Sequence, residues 1–241
     1  MRRVAPSTAL AALALATVPA AAAGAIATLT VDPNEAGKPS RATLNVDNPR
    51  AHENPRTTAL RVVRGARFDP RARAVKCSKA QADANQCPAK SRIGGGTADV
   101  TVSSPLFAPT QIHVPVDLYL MRPLQAGDLA GVVAHFRVEQ TGQEGHSFGR
   151  VTRLASGPYG MQTRFTKLNG AVRPPSGVRA HVDHLRLTFG AKRTVMKNGA
   201  AVTYHLIHNP KTCDGTWEYQ VAIGYGSGDR IVVSRSGPCT G

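Results

Sequence analysis

Alternation of apolar and polar residues runs through this chain from end to end, a period that suits strands with one buried face and fits helices poorly. In TWEYQVAIGY, Trp217, Tyr219, Val221, Ile223 and Tyr225 share one face, while Glu218, Gln220 and Ala222 take the other. HVPVDLYLM sets Val114, Val116, Leu118 and Leu120 against His113, Pro115, Asp117 and Tyr119, and VVAHFRVE turns Val132, Ala134, Phe136 and Val138 inward. Further strands are expected at 26–31, 41–47, 58–63, 98–103, 148–154, 161–166, 182–189, 202–207 and 230–234. About a dozen short strands, punctuated by Gly, Pro, Asn and Asp, predict an all-β fold, an antiparallel β-sandwich. Only SKAQADANQ, between Cys77 and Cys87, reads as a short helix. A division into two subdomains would fall near 104–111, but Leu106 and Phe107 read as packed residues, so one continuous sandwich over 24–241 is expected.

The first residues, MRRVAPSTALAALALATVPAAAAGA, have the three-part layout of a secretory signal peptide: Arg2 and Arg3, an apolar core, then small residues at Ala20–Ala23. The apolar core from Thr8 to Val18 is about half of the roughly 20 residues that cross a bilayer. Residues 1–23 are therefore expected to be removed near Ala23. The remaining 218 residues would work outside the cytoplasm, secreted or held non-covalently at the cell surface, with no transmembrane segment.

Four cysteines in an exported chain predict two disulfides. Of the three pairings, sequence neighbours are favoured: Cys77 with Cys87, and Cys213 with Cys239. A tetrahedral metal site needs close ligand pairs, which spacings of ten and twenty-six do not offer, and a redox pair needs C-x-x-C. No metal and no cofactor is expected. The first bridge would lash the short helix to Pro88; the second would tie the start of the Trp217 strand to the last residues of the chain. An immunoglobulin domain does not fit, because Trp217 follows Cys213 by only four residues.

CSKAQADANQCPAKSRIGGGTADV (Cys77, Cys87, Pro88, Ser91, Ile93, Gly94, then a strand) and NPKTCDGTW (Asn209 to Trp217) are followed by Pro238 and Cys239. Together they resemble a group of uncharacterised exported proteins of actinobacteria, which carry Cys-helix-Cys-Pro-x-x-Ser-x-Ile-Gly and later Asn-Pro-x-x-Cys-x-Gly-x-Trp. The resemblance covers most of the mature chain. It implies export, β structure and paired cysteines, and it brings no catalytic residue.

GHSFG, Gly145 to Gly149, matches the G-x-S-x-G nucleophile elbow with Ser147 as nucleophile, and Asp183 with His184, His205 or His208 follows in the order such triads use. An elbow needs a buried strand entering a strained turn and a helix leaving it. Here polar TGQE precedes the string and strand-like RVTRLASGPYG follows, so a polar hairpin loop is expected. In HVDHL, a strand would point His181 and Asp183 to one face and His184 to the other, which suits an edge hydrogen-bonded pair better than a metal site. His205 and His208 should point opposite ways for the same reason, and Gly94–Gly96 should precede a strand.

The formal charge is +15, or +13 without Arg2 and Arg3, and 22 of the 30 cations are arginine. Arg61, Arg64, Arg67, Arg71 and Arg73 form the densest group, with Arg61 on a strand and Arg67, Arg71 and Arg73 in a following loop. Such charge either keeps a protein dispersed or draws it to anionic polymers and lipid headgroups. No helix-turn-helix, zinc-finger or RNA-binding pattern appears, and aromatic residues are only 5%, so specific nucleic-acid binding is not expected. The function expected is an exported, non-catalytic surface or binding module for anionic envelope polymers or lipid headgroups, with these arginines as the anion-binding residues. A secreted serine hydrolase using Ser147 is the alternative, and a purely structural envelope protein a further one.

Overall fold

The computed structural model describes residues 27–50, 52–168 and 176–241; the expected signal peptide lies outside them. In chain order the elements are β1 (Ala27–Asp32), β2 (Pro39–Asp47), β3 (Thr57–Val63), β4 (Arg67–Phe68), α1 (Lys79–Asp83), β5 (Arg92–Ser104), β6 (Phe107–Met121) and β7 (Asp128–Val138). They continue as β8 (Gln143–Arg153), β9 (Tyr159–Thr166), β10 (Arg179–Phe189), β11 (Lys192–Lys197), β12 (Ala200–His205), β13 (Ile207–His208), β14 (Thr216–Gly224) and β15 (Arg230–Pro238). The antiparallel all-β class, the helix between the first two cysteines and both sequential disulfides stand as expected.

Thirteen strands form one sheet in the order β15-β14-β3-β9-β8-β7-β6-β5-β10-β2-β13-β4, with β1 also on β2. That sheet curls until its ends meet. Ala36 N–H donates to the Thr240 carbonyl at 2.8 Å and Thr240 N–H to the Asn34 carbonyl at 3.1 Å, joining the chain after β1 to the chain after β15. Across the interior, the Tyr219 hydroxyl donates to the Ala27 carbonyl at 3.4 Å. The two packed faces of the sandwich are thus opposite walls of one continuous sheet, a flattened barrel.

Its polarity follows the period-two pattern. Val114, Val116, Leu118 and Leu120 of β6 are buried together with Val132 and Ala134 of β7 and Leu187 of β10. Leu60 of β3 packs with Val221 and Ile223 of β14 and with Leu44 and Val46 of β2. Each aliphatic side chain withdrawn from water contributes about 1.5–3 kcal/mol, which is what holds the curled sheet together.

β5 and β10 approach each other closely. Gly94 pairs with Phe189 and Gly96 with Leu187, and a Cβ at either glycine would fall on the Thr188 or Arg186 carbonyl oxygen. Only residues without side chains let the strands cross so closely. The triple glycine therefore lies inside β5 rather than before a strand, a correction to the expectation from sequence.

On the outer wall, Cys77, Ala82, Met121 and Val133 form a small separate core beneath α1. Ser78 and Gln81 close a capping box at the start of α1, with reciprocal bonds of 2.9 and 3.2 Å that satisfy two orphan N–H groups. The Cys77–Cys87 bridge brackets the helix, and Cys77 N–H donates to the Leu120 carbonyl of β6 at 2.8 Å. Cys213–Cys239 closes the β14–β15 hairpin, where Thr216 pairs with Pro238.

Other expectations are corrected. Residues 104–111 include the tip of the long β5–β6 hairpin, and Leu106 and Phe107 are exposed there instead of packed. GHSFG is not a loop but the middle of β8, paired with β7 through Ala134–Ser147. β10 is not an edge: it lies between β5 and β2.

Candidate binding cavity

Inward side chains do not fill the barrel. They leave a cavity of about 390 Å³ walled by aliphatic and aromatic groups from both sides of the curled sheet. Phe136, Phe165 and Phe189 face this space and are only half-buried, although the alternation of their strands turns them inward. Phe68 of β4 and Ile207 of β13 add to the lining, as does Trp217 of β14. The outer faces carry residues such as Thr43, Asn45, Asp47, Arg186 and Gln220. An apolar inside and a polar outside is the reverse of a membrane-spanning barrel, whose lipid-facing band is apolar.

Polar groups on the lining are few, and Asn34, Asn209 and Trp217 are engaged within the protein. Asn209 is buried; its amide donates to the Pro33 and Glu35 carbonyls at 2.8 and 2.9 Å, and its oxygen accepts from the Ser40 hydroxyl at 2.8 Å. It pins the β1–β2 turn to the segment leading into the second disulfide, which accounts for the asparagine of NPKTC. His208 also lines the cavity, and its imidazolium is disfavoured, first by burial and then by Arg67 and His205. His205 and His208 do not point opposite ways: their rings meet edge to face at 5.9 Å, because the chain leaves β12 at Leu206 before β13 begins.

Ser147 points to the interior, almost fully buried, and its hydroxyl donates to the Thr166 carbonyl at 3.0 Å. No turn or helix follows it, since β8 continues to Arg153. His181 Nε2 lies 3.5 Å from Asp183 Oδ1, while Asp183 Oδ2 accepts from the Thr101 hydroxyl at 2.7 Å. His184 pairs instead with Asp47 at 2.5 Å, after a register shift between Val182 and His184. Among the described residues, no group of three or more His, Cys, Asp or Glu is arranged to hold a metal ion. No described helix is long and apolar enough to cross a membrane.

The five arginines grouped in sequence make different contacts. Arg61 is held on the outer wall by Gln162 and Gln220 at 2.8 and 2.9 Å. Arg64 donates to the Gly157 carbonyl at 2.8 Å. Arg67 is on β4 and Arg71 in a 3-10 turn at Pro70–Ala72, not in an open loop. Arg71 grips Asp69 with two nitrogens and covers the Tyr204 ring at 4.7 Å. That grip holds the Asp69 carboxyl below its usual range.

Arg73 goes elsewhere, to a second, open cleft of about 450 Å³ that it shares with Arg41 and Arg92. Sequence reasoning missed Arg41 and Arg92, and no local signal could have found them: they come from β2 and β5 and meet Arg73 only through the sheet.

Fold and cavity together define an antiparallel β-barrel with an apolar interior large enough for a small molecule. The chain matches no protein-family model, no curated protein and no solved structure.

Proposed function

We propose that this protein is an exported, non-catalytic binding module that holds one lipophilic molecule inside its barrel. The cavity carries this reading: about 390 Å³ falls within the roughly 300–1,000 Å³ of small-molecule sites. Burying a ligand's apolar surface there is worth about 25 cal/mol per Å² before the cost of association, and it restores the dispersion contacts that the half-buried Phe136, Phe165 and Phe189 lack. The two partners expected from charge, an anionic polymer and a lipid headgroup, both suit the outer wall, whereas this interior suits an apolar chain. The two disulfides accord with an oxidising compartment, and export by a signal peptide ending near Ala23 supplies one.

The test uses the mature protein, stripped of co-purifying lipid, and an environment-sensitive naphthylamine dye. The dye should brighten with one-to-one stoichiometry and be displaced by a long-chain fatty acid or its ester. Ala134→Phe and, separately, Thr163→Phe place a ring in the lining and should abolish the signal while the melting transition is kept. Absence of dye binding in the wild type, with no lipid found by native mass spectrometry of the unstripped protein, would reject the proposal.

A further inference from the structure

The cleft beside Ile93 is built differently from the cavity. Its walls are Arg41, Arg73 and Arg92, its floor includes Gly94, Gly95 and Gly190, and no acidic residue lines it. We propose that it is an oxyanion site for a phosphate group.

Two of its three guanidinium groups are held in place by the protein's own carbonyls. Arg73 Nε donates to the Arg92 carbonyl at 2.6 Å and its Nη1 to the Lys192 carbonyl at 3.3 Å, which leaves Nη2 for a ligand. Arg92 Nε donates to the Gly94 carbonyl at 3.2 Å and its Nη2 pairs with Asp117 at 2.5 Å, leaving Nη1. Arg41 makes no side-chain hydrogen bond or ion pair among the described residues, and its stem lies where a side chain on Gly190 would go. Holding the cations beforehand removes ordering cost from binding, and planar guanidinium forks match the oxygens of phosphate.

A further cation, Lys76, lies three residues after Arg73. Lys76 donates to the Pro70 and Arg73 carbonyls, securing the segment that carries Arg73, and burial with Arg193 nearby lowers its proton affinity. Asp32, opposite Arg41 in the β1–β2 ladder, and Asp117 are the acidic neighbours of the three arginines. Gly94, Gly95 and Gly190 on the floor permit close packing there: a Cβ would meet the Thr188 carbonyl at Gly94, the Val116 carbonyl and the Arg92 and Asp117 side chains at Gly95, and the Arg41 stem at Gly190. The three arginines that make this site are on the outer wall, and Ile93 is the residue its lining shares with the lipophilic cavity.

The decisive experiment is titration of the mature protein at low ionic strength with inorganic pyrophosphate, alongside flotation with phosphatidylcholine vesicles that do or do not contain phosphatidylglycerol. The wild type should bind pyrophosphate, the anionic vesicles or both. Arg41→Gln/Arg73→Gln/Arg92→Gln should weaken this at least about tenfold, as expected for the loss of several charge-assisted bonds. Arg41→Gln alone, which removes no internal bond, should weaken it several-fold with an unchanged melting transition. Pyrophosphate binding without vesicle binding identifies a soluble phosphate as the source, and cleft-dependent binding to anionic vesicles identifies a lipid headgroup. The exposed control set Arg137→Gln/Arg164→Gln/Arg230→Gln should have little effect. If it weakens binding equally, or if the wild type binds neither probe, the site is refuted. Dye binding in the cavity should survive the cleft variants, which separates failure here from failure of the proposed function.

Discussion

A side chain on Gly96 would begin on the carbonyl oxygen of Arg186, across the ladder from β5 to β10. The relief available is small, because the obstacle is backbone in the neighbouring strand. Gly96→Ala should therefore destabilise the protein by about 2 kcal/mol or more, in the range of overpacked cores. Gly226→Ala, whose new atom would meet nothing nearer than Glu53 Oε1 at 3.6 Å, should stay within about 0.5 kcal/mol. Urea denaturation of the pair checks this, and equal stability would refute the close crossing.

Ser147 is buried and bonded to the Thr166 carbonyl, so Ser147→Ala removes a donor from an interior acceptor. The expected loss is about 1–2 kcal/mol, against about 0.5 kcal/mol for Ser156→Ala on an exposed turn. A neutral Ser147→Ala would return the GHSFG string to the surface.

Arg150 clasps Asp128 through Nε at 3.0 Å and Nη2 at 2.6 Å, and the Asp128 side chain is fully shielded from solvent. These bonds hold the Asp128 carboxyl below its usual range. A lowered carboxyl pKa gives stability that is complete above the unfolded value, about 4, and is lost as pH falls through the folded one. The stability gap between the wild type and Arg150→Gln should be constant above about pH 5 and narrow below about pH 4. A gap independent of pH would show that the guanidinium acts only through packing.

His135, His181 and His208 are each pushed below the ordinary imidazole value, chiefly by burial. His135, between Tyr119 and His146, is opposed by His146 and favoured more weakly by Asp117 and Glu144. Because the unfolded chain takes up these protons first, stability is complete above about pH 6.5 and declines as pH falls through the lower folded values. Melting temperature should drop between about pH 7.5 and pH 5.5, and His135→Phe should flatten part of that slope. An unchanged slope in that variant would remove His135 from the account.

The two bridges should be separable in effect. Loop-closure entropy assigns roughly 2.5–3.5 kcal/mol to each. Cys77→Ala/Cys87→Ala frees a segment on the outer wall and should leave dye binding in the cavity intact. Cys213→Ala/Cys239→Ala loosens the strand end that meets the chain after β1, so it should also weaken dye binding. Equal dye affinity in both variants would show that the seam plays no part in shaping the cavity.

The sequence by itself determined the strand class and the staples. Alternation at Val114–Leu120 or Trp217–Tyr225 is a property of neighbouring residues, since successive side chains on a strand point to opposite faces wherever that strand lies. Sequential disulfides were legible for a related reason: short intervening segments bring Cys77 to Cys87 and Cys213 to Cys239 with little chain to organise.

Tertiary structure decided the rest. Alternation says that Ser147 and Ala134 have inner faces, but only pairing in the β7–β8 ladder puts that serine inside the barrel. It was the break at Leu206 that brought the His205 and His208 rings together, because one irregular residue reverses the orientations after it. The cavity exists because the inward side chains of many strands together do not fill the space their walls enclose, a balance summed over all the walls at once. Arg41, Arg73 and Arg92 meet for the same reason: distant segments become neighbours only when long-range strand pairing has set the curvature that joins them.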